Sequence, residues 1–167
     1  MSLPAYLFLY DENGVQIKGS CMALGREGAI EVMNTQHSIN LSTDAHSGML
    51  TGSRMHAPVV INKEVDKSSP YLFDWVCTGK KLSKATLRFY IINEAGIENE
   101  FYNITLEKVI ISSVNFNHSY IPGISKPNMR EVVSLRYGQI SWNYLMGNIS
   151  TRDFWGKEIP KNKENPD

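Results

Sequence analysis

Histidines, cysteines, serines and clustered carboxylates are the residues that could carry chemistry, and their spacing in this chain argues against it. His37, His46, His56 and His118 stand far apart, no two at metal-ligand spacing, and Cys21 and Cys77 do not complete a ligand set with them. Ser68-Ser69 could serve as nucleophiles, but no strand-to-helix elbow surrounds them and helix capping accounts for both. His56 or His118 as a general base would need a nucleophile that the sequence does not offer. Glu27, Glu31, Glu94 and Glu98 fall at turns and strand ends, where carboxylates are ordinarily solvated. Gly25 and Gly28 do not form a phosphate loop, and aromatics are not interleaved with a basic cluster as single-stranded nucleic-acid binding requires. No catalytic, cofactor-binding or metal-binding residue is expected, and the chain reads as a non-enzyme.

The elements that position the remaining polar groups are mostly strands. Leu3 to Tyr10 is apolar on both faces, so it needs cover on both, from a core or from a neighbouring subunit. Asp11-Glu12-Asn13-Gly14 turns the chain into a hairpin partner, Val15 to Gly19. Beyond Val32, the positions Asn34, Gln36, Ser38 and Asn40 form an uncharged polar stripe. Ser42 to Ser53 reads as a long polar loop, followed by a strand from Met55 to Asn62. Ala85 to Ile92 alternates as a half-buried strand, and Glu98 to Ser113 returns as its partner, with a bend near Glu107-Lys108 where the apolar phase changes. Asn117 to Arg130 reads as a loop. Glu131 to Tyr144 is the last strong strand, its phase switching at Gly138.

One helix interrupts them. Ser69 is expected as its N-cap, Pro70 at its first position, Asp66 near its positive end and Gly79 as its left-handed stop, which places it at about Ser69–Thr78. Leu72, Trp75 and Val76 are its expected packing residues, and with Tyr71, Phe73 and Cys77 its apolar arc is very wide. The fold class is all-β, mainly antiparallel: a barrel or sandwich of about eight to nine strands carrying this short helix. A barrel over 1–148 and a short polar tail over 149–167, partly disordered, are the expected units.

The 167 residues suit one domain, and seventeen basic residues against seventeen acidic ones favour neither a nucleic-acid nor an anionic-membrane partner. The apolar opening, Met1 to Tyr10, lacks a basic region and is too short to span a bilayer, so synthesis and folding in the cytosol without a signal peptide are expected. The two cysteines do not make a disulfide framework.

Five segments in order resemble the Hcp family, the hemolysin-coregulated tube protein of bacterial type VI secretion. They are Lys18-Gly19-Ser20, then Arg26 to Val32, then Lys63-Glu64-Val65-Asp66-Lys67-Ser68-Ser69-Pro70-Tyr71-Leu72, then Glu100 to Glu107, and finally Val132 to Trp142. The similarity is collinear from about Leu3 to Tyr144, and the Lys-x-x-Asp-x-Ser-Ser-Pro block is its strongest part. Many members carry His where Arg26 stands and Trp where Ala29 stands, so this chain resembles a branch with Arg-Glu-Gly followed by a small residue.

The resemblance implies a homohexameric ring. Rings stack into an inner tube within a contractile sheath, capped by a trimeric spike, and effector proteins ride in the lumen. It also implies assembly in the bacterial cytoplasm and export by the machine itself, to the extracellular space or a target cell. Ser42 to Ser53 would be the extended inter-ring loop, with Ser42, Asp44, His46, Gly48, Leu50 and Gly52 as candidates. Asn34, Gln36 and Ser38 are the candidates for the lumen face. No cofactor, nucleic acid or stable membrane insertion is expected. The alternative, from architecture alone, is a monomeric β-barrel module binding a small ligand or carbohydrate.

Overall fold

The computed structural model describes residues 3–123 and 128–156. Strands β1 (Ala5–Tyr10) and β2 (Gln16–Ile17) form the first hairpin, and the Asp11 carboxylate at its turn accepts from the Asn13 and Val15 N–H groups at 2.9 Å. β3 (Ile30–Val32) and β4 (Asn34–Gln36) are consecutive pieces of one extended stretch. β5 (Ile39–Thr43) and β6 (Leu50–His56) pair only with each other. After β7 (Val59–Glu64) comes the helix α1 (Ser69–Thr78), then the long antiparallel pair β8 (Lys81–Ile92) and β9 (Glu98–Ser119). The chain ends with β10 (Asn128–Arg136), β11 (Gln139–Tyr144) and β12 (Ile149–Phe154).

Neighbouring strands run β1-β8-β9-β10-β7-β4, every pair antiparallel. The stretch 30–36 closes this circle, because β3 pairs with β1 while β4 pairs with β7, and the Met33 N–H between them donates to the Asn62 carbonyl at 2.8 Å. The expected all-β class with one helix is therefore realised as a closed barrel. Among the described residues there are twelve strands, more than the expected eight or nine. The additional ones come from β5 within the segment read as a loop, from the division of the Met55 to Asn62 strand into β6 and β7, and from β12 in the segment read as tail.

Inside lie Leu7, Leu9, Ile30, Ile61, Leu87, Leu106, Leu135 and Ile140, each at most 1% exposed. The opposite face of β1 is also covered, by this same chain: Tyr6 and Phe8 pack with Ala29 and Tyr90. That face is not left open for a neighbouring subunit. Arg26 lies over the Tyr6 and Tyr90 rings at 4.9 and 4.5 Å while pairing with Glu98, and Arg88 lies over Phe8 at 4.3 Å.

The bend expected near Glu107-Lys108 is present. Lys108 adopts φ 53°, and the buried set shifts phase there, from Ile104 and Leu106 to Val109 and Ile111. β10 and β11 lie end to end along the bent β9, and the Gly138 N–H between them donates to the Glu107 carbonyl at 2.9 Å. A Cβ on Gly138 would stand 3.1 Å from that of Lys108, so the two phase changes seen in the sequence are one joint.

Four expectations need correction. Ser42 to Ser53 is not a loop: its ends are the strands β5 and β6, and only residues 44–49 turn. Pro58, which cannot donate to a ladder, separates β6 from β7, so Met55 to Asn62 is not one strand. The segment read as a loop from Asn117 is strand as far as Ser119 and again from Asn128. Chain after 148 is not wholly tail, since β12 pairs with β11 from Ile149 to Phe154. Its side chains are mostly solvated, hence no apolar signal. From residue 157 on, the expected tail lies outside the described residues.

Candidate functional site

Three features of the surface stand out: a polar sheet face, a projecting hairpin, and the anchors that hold the hairpin and the helix. The polar face is built by register. Asn34 opposes Asn62, which opposes Val132, which opposes Asn115. In the next rung Gln36 opposes Val60, then Ser134, then Ser113. These side chains point away from the core because Ile61, Val133 and Val114 take the inward positions. The result is an uncharged, amide- and hydroxyl-rich patch across four strands, with Glu64 and Arg130 at its border. Asn34 and Gln36 belong to it; Ser38 is exposed but lies beyond β4, in the link to β5.

The hairpin carries its own turn chemistry. The Asp44 carboxylate accepts from the His46 and Ser47 N–H groups at 2.9 and 2.7 Å and from the Ser47 hydroxyl at 3.0 Å, and these bonds hold its pKa below the usual range. Gly48, at φ 72°, closes the turn by donating to the Asp44 carbonyl at 2.9 Å. Ser42 and Gly52 face each other in the strands, where the register shifts between Leu41 and Thr43. Leu41, Met49, Leu50 and Met55 are all at least 50% exposed, so a polar turn carries an apolar surface that none of the described residues covers.

At the hairpin root Arg54 and His56 of β6 reach back to the barrel. Arg54 grips Asp153 of β12, its Nη2 donating to Oδ1 at 2.9 Å and to the Phe154 carbonyl at 3.2 Å. His56 Nε2 lies 2.8 Å from Asp153 Oδ2, and His56 Nδ1 lies 2.7 Å from the Tyr137 hydroxyl. His37 Nε2 reaches that same hydroxyl at 2.8 Å. Trp155 packs against His56 and Tyr137, with ring centroids 5.7 and 4.9 Å away. Burial raises the Tyr137 pKa, and the Asp153 charge raises it further. For Asp153 burial alone would raise the pKa, but hydrogen bonds from Arg54, the Phe154 backbone and His56 leave it below the usual value. Sequence distance hid this cluster. Pairing 39 with 56 in one hairpin is what brings two apparently scattered histidines together.

The helix is anchored by a buried charge network. Lys63 and Glu131 are 0% and 1% exposed, and Lys63 Nζ donates to Glu131 Oε2 at 2.6 Å, to Ser69 Oγ at 3.1 Å and to Asp66 Oδ1 at 3.1 Å. Ser69 Oγ in turn donates to Glu131 at 2.9 Å and accepts from the Asp66 N–H at 3.0 Å. Ser69 is therefore not the N-cap: Ser68 holds that position, with its hydroxyl on Asp66, and Pro70 follows at the second helical residue. The Ser69 hydroxyl is drawn away because an internal lysine and glutamate need a third partner. Leu72 and Trp75 are buried, Val76 packs against the core, and Gly79 stops the helix at φ 66°. Tyr71 and Phe73 remain 53% and 40% exposed. Gly19 touches this network: a Cβ there would stand 2.8 Å from Asp66 Oδ2 and 2.6 Å from the Ala29 carbonyl. The Lys-x-x-Asp-x-Ser-Ser-Pro block and Lys18-Gly19-Ser20 thus meet in space. Among the described residues no group of three or more His, Cys, Asp or Glu side chains could hold a metal ion.

The family model described as "Type VI secretion system effector, Hcp" matches residues 6–144. The "Major exported protein" of Pseudomonas aeruginosa is 31% identical over 143 residues, which span 84% of this chain and 83% of that protein. Among solved structures, an Hcp1 variant from Escherichia coli superposes with a TM-score of 0.82 at 42% identity, covering 92% of this chain and 99% of its own. The secreted protein Hcp3 from Pseudomonas aeruginosa gives 0.74 at 24% identity, covering 93% and 100%, a likeness of fold.

Proposed function

The chain belongs to the Hcp family, which makes it a secreted structural component of the type VI secretion tube, and from that premise we propose how its surfaces are used. Copies close into a homohexameric ring, and the uncharged face of β4, β7, β10 and β9 lines the lumen. Amide and hydroxyl groups there offer hydrogen bonds to varied effector proteins without selecting for charge. The β5–β6 hairpin reaches the next ring, where Leu41, Met49, Leu50 and Met55 find the cover that the described residues of their own chain do not give. Sheath, spike and effectors are the further partners, and assembly precedes export from the cytoplasm. No catalytic step is assigned to the chain.

The observation that carries this reading is the exposed apolar surface on a rigidly rooted hairpin. Leu50→Asp tests it. Size-exclusion mass and negative-stain images should show intact rings that no longer stack, and undiminished tubes would refute the hairpin's role. Gln36→Arg, on the polar face, should leave rings intact and alter effector retention; unchanged retention would count against the lumen assignment. A monomer at micromolar concentration would favour the ligand-binding module instead.

A further inference from the structure

The β5–β6 pair is a sheet of its own, and a single polar cluster fastens its root to the barrel. Every element around that cluster contributes. β6 brings Arg54 and His56, the link from β4 to β5 brings His37, and β12 brings Asp153. β10 ends in Arg136, which lies over Trp155 at 5.0 Å, and the β10–β11 link brings Tyr137; β11 brings only the uncharged Trp142, 6.3 Å from the His37 ring.

The partners dictate where hydrogens sit. Ionised Asp153 only accepts, so His56 Nε2 carries a proton. In neutral His56 the Nδ1 is then bare and takes the Tyr137 hydroxyl proton at 2.7 Å, while His37 Nε2–H donates to the Tyr137 oxygen at 2.8 Å. One further proton fits, on the His37 ring where it meets the Ala57 carbonyl. A second does not. All four ring nitrogens would then carry hydrogens, and two of them would converge on one hydroxyl. The proton of that hydroxyl would be left the Ala57 carbonyl at 3.5 Å. Two imidazolium rings would also share the single carboxylate that Arg54 already neutralises. Burial first, and then the neighbouring His56 charge, push the His37 pKa down.

We infer that His37, Tyr137 and His56 form an acid-triggered latch, which holds the hairpin to the barrel at neutral pH and releases it once both imidazoles are charged. Because the hairpin is read above as the ring-to-ring contact, mild acid would then take an assembled tube apart.

The test is amide hydrogen exchange of the full chain at about pH 7.5 and about pH 5.5, corrected for the intrinsic pH dependence of exchange. Hairpin amides should open about tenfold more at the lower pH, with barrel amides unchanged. His37→Gln cannot be charged and can turn its amide oxygen to accept from the Tyr137 hydroxyl, which leaves the hydroxyl oxygen free for a charged His56, so its hairpin should lose the pH response. Tyr137→Phe should exchange fast at both values. Equal hairpin protection at both pH values in the natural chain, or a His37→Gln response equal to it, would overturn the latch. Should the variants unfold, imidazole titration of the natural chain by NMR decides: two separated steps support the latch, and two independent steps near the ordinary histidine value refute it. A hairpin that loosens while tubes stay whole supports the latch and refutes the ring-to-ring reading.

Discussion

Lys63→Met is the most demanding perturbation of the fold. Lys63 is fully buried, and its ammonium is shared by Glu131 at 2.6 Å, Ser69 at 3.1 Å and Asp66 at 3.1 Å. Met preserves much of the volume and removes only the cation, so Glu131, itself 1% exposed, becomes an uncompensated internal charge. Breaking a buried pair in this one-sided way costs roughly 3–5 kcal/mol. At roughly 2–4 °C per kcal/mol for a domain of this size, the melting temperature should drop by about 6–20 °C. Urea unfolding at fixed protein concentration, with the slope compared between variants, is the assay. The double replacement Lys63→Met with Glu131→Leu should recover much of the loss, since no internal pair then remains to be broken, and the coupling between the two sites should be at least about 1 kcal/mol. A single-site cost under about 1 kcal/mol would refute the claim that this network fixes the helix to the barrel.

Gly19→Ala should destabilise by about 1–3 kcal/mol, read as a lower urea midpoint, because the new methyl meets a backbone carbonyl that cannot yield. Arg26→Lys should cost about 1–2 kcal/mol in the same assay, since an ammonium cannot lie flat between Tyr6 and Tyr90 while holding Glu98. Stability should fall on the acid side in two stages, followed as urea midpoints from about pH 8 to about pH 3. The His37 pKa is depressed on folding, so below its unfolded value of about 6.5 the unfolded chain binds more protons and stability declines with falling pH. The Asp153 pKa is also depressed, and its contribution, complete above about 3.9, is lost as pH falls through the folded value. A flat profile between about pH 7 and pH 5 would exclude the first stage.

Much of the fold was legible because its signals are local. Pro70 and Gly79 bracket a helix wherever it packs, and the phase changes at Lys108 and Gly138 announced a joint that the structure places at one point. Asn34 and Gln36 were readable as a polar stripe because alternation survives in three residues of β4. What stayed hidden depends on pairing. Asp44 and Gly48 look like loop residues, and only the 39-to-56 register makes them the turn of a hairpin. Ser69 looked like a cap because nothing in the sequence says that Lys63 is internal and that Glu131, 68 positions later, competes for its hydroxyl. The wide apolar face of β1 was equally ambiguous, since its cover, Arg26 with Tyr90, comes from two distant segments.

The 22 residues of β9 border β8 and β11 with one end and β10 with the other, so a single strand is stitched into both walls of the barrel. A cut just before it, at the turn where the Gly96 N–H donates to the Asn93 carbonyl, parts β8 from its ladder partner. Fragments divided at the Asn93–Gly96 turn would each hold half of a ladder and should regain structure only when mixed. That makes the turn a natural place to split this protein into a reporter whose signal requires both parts.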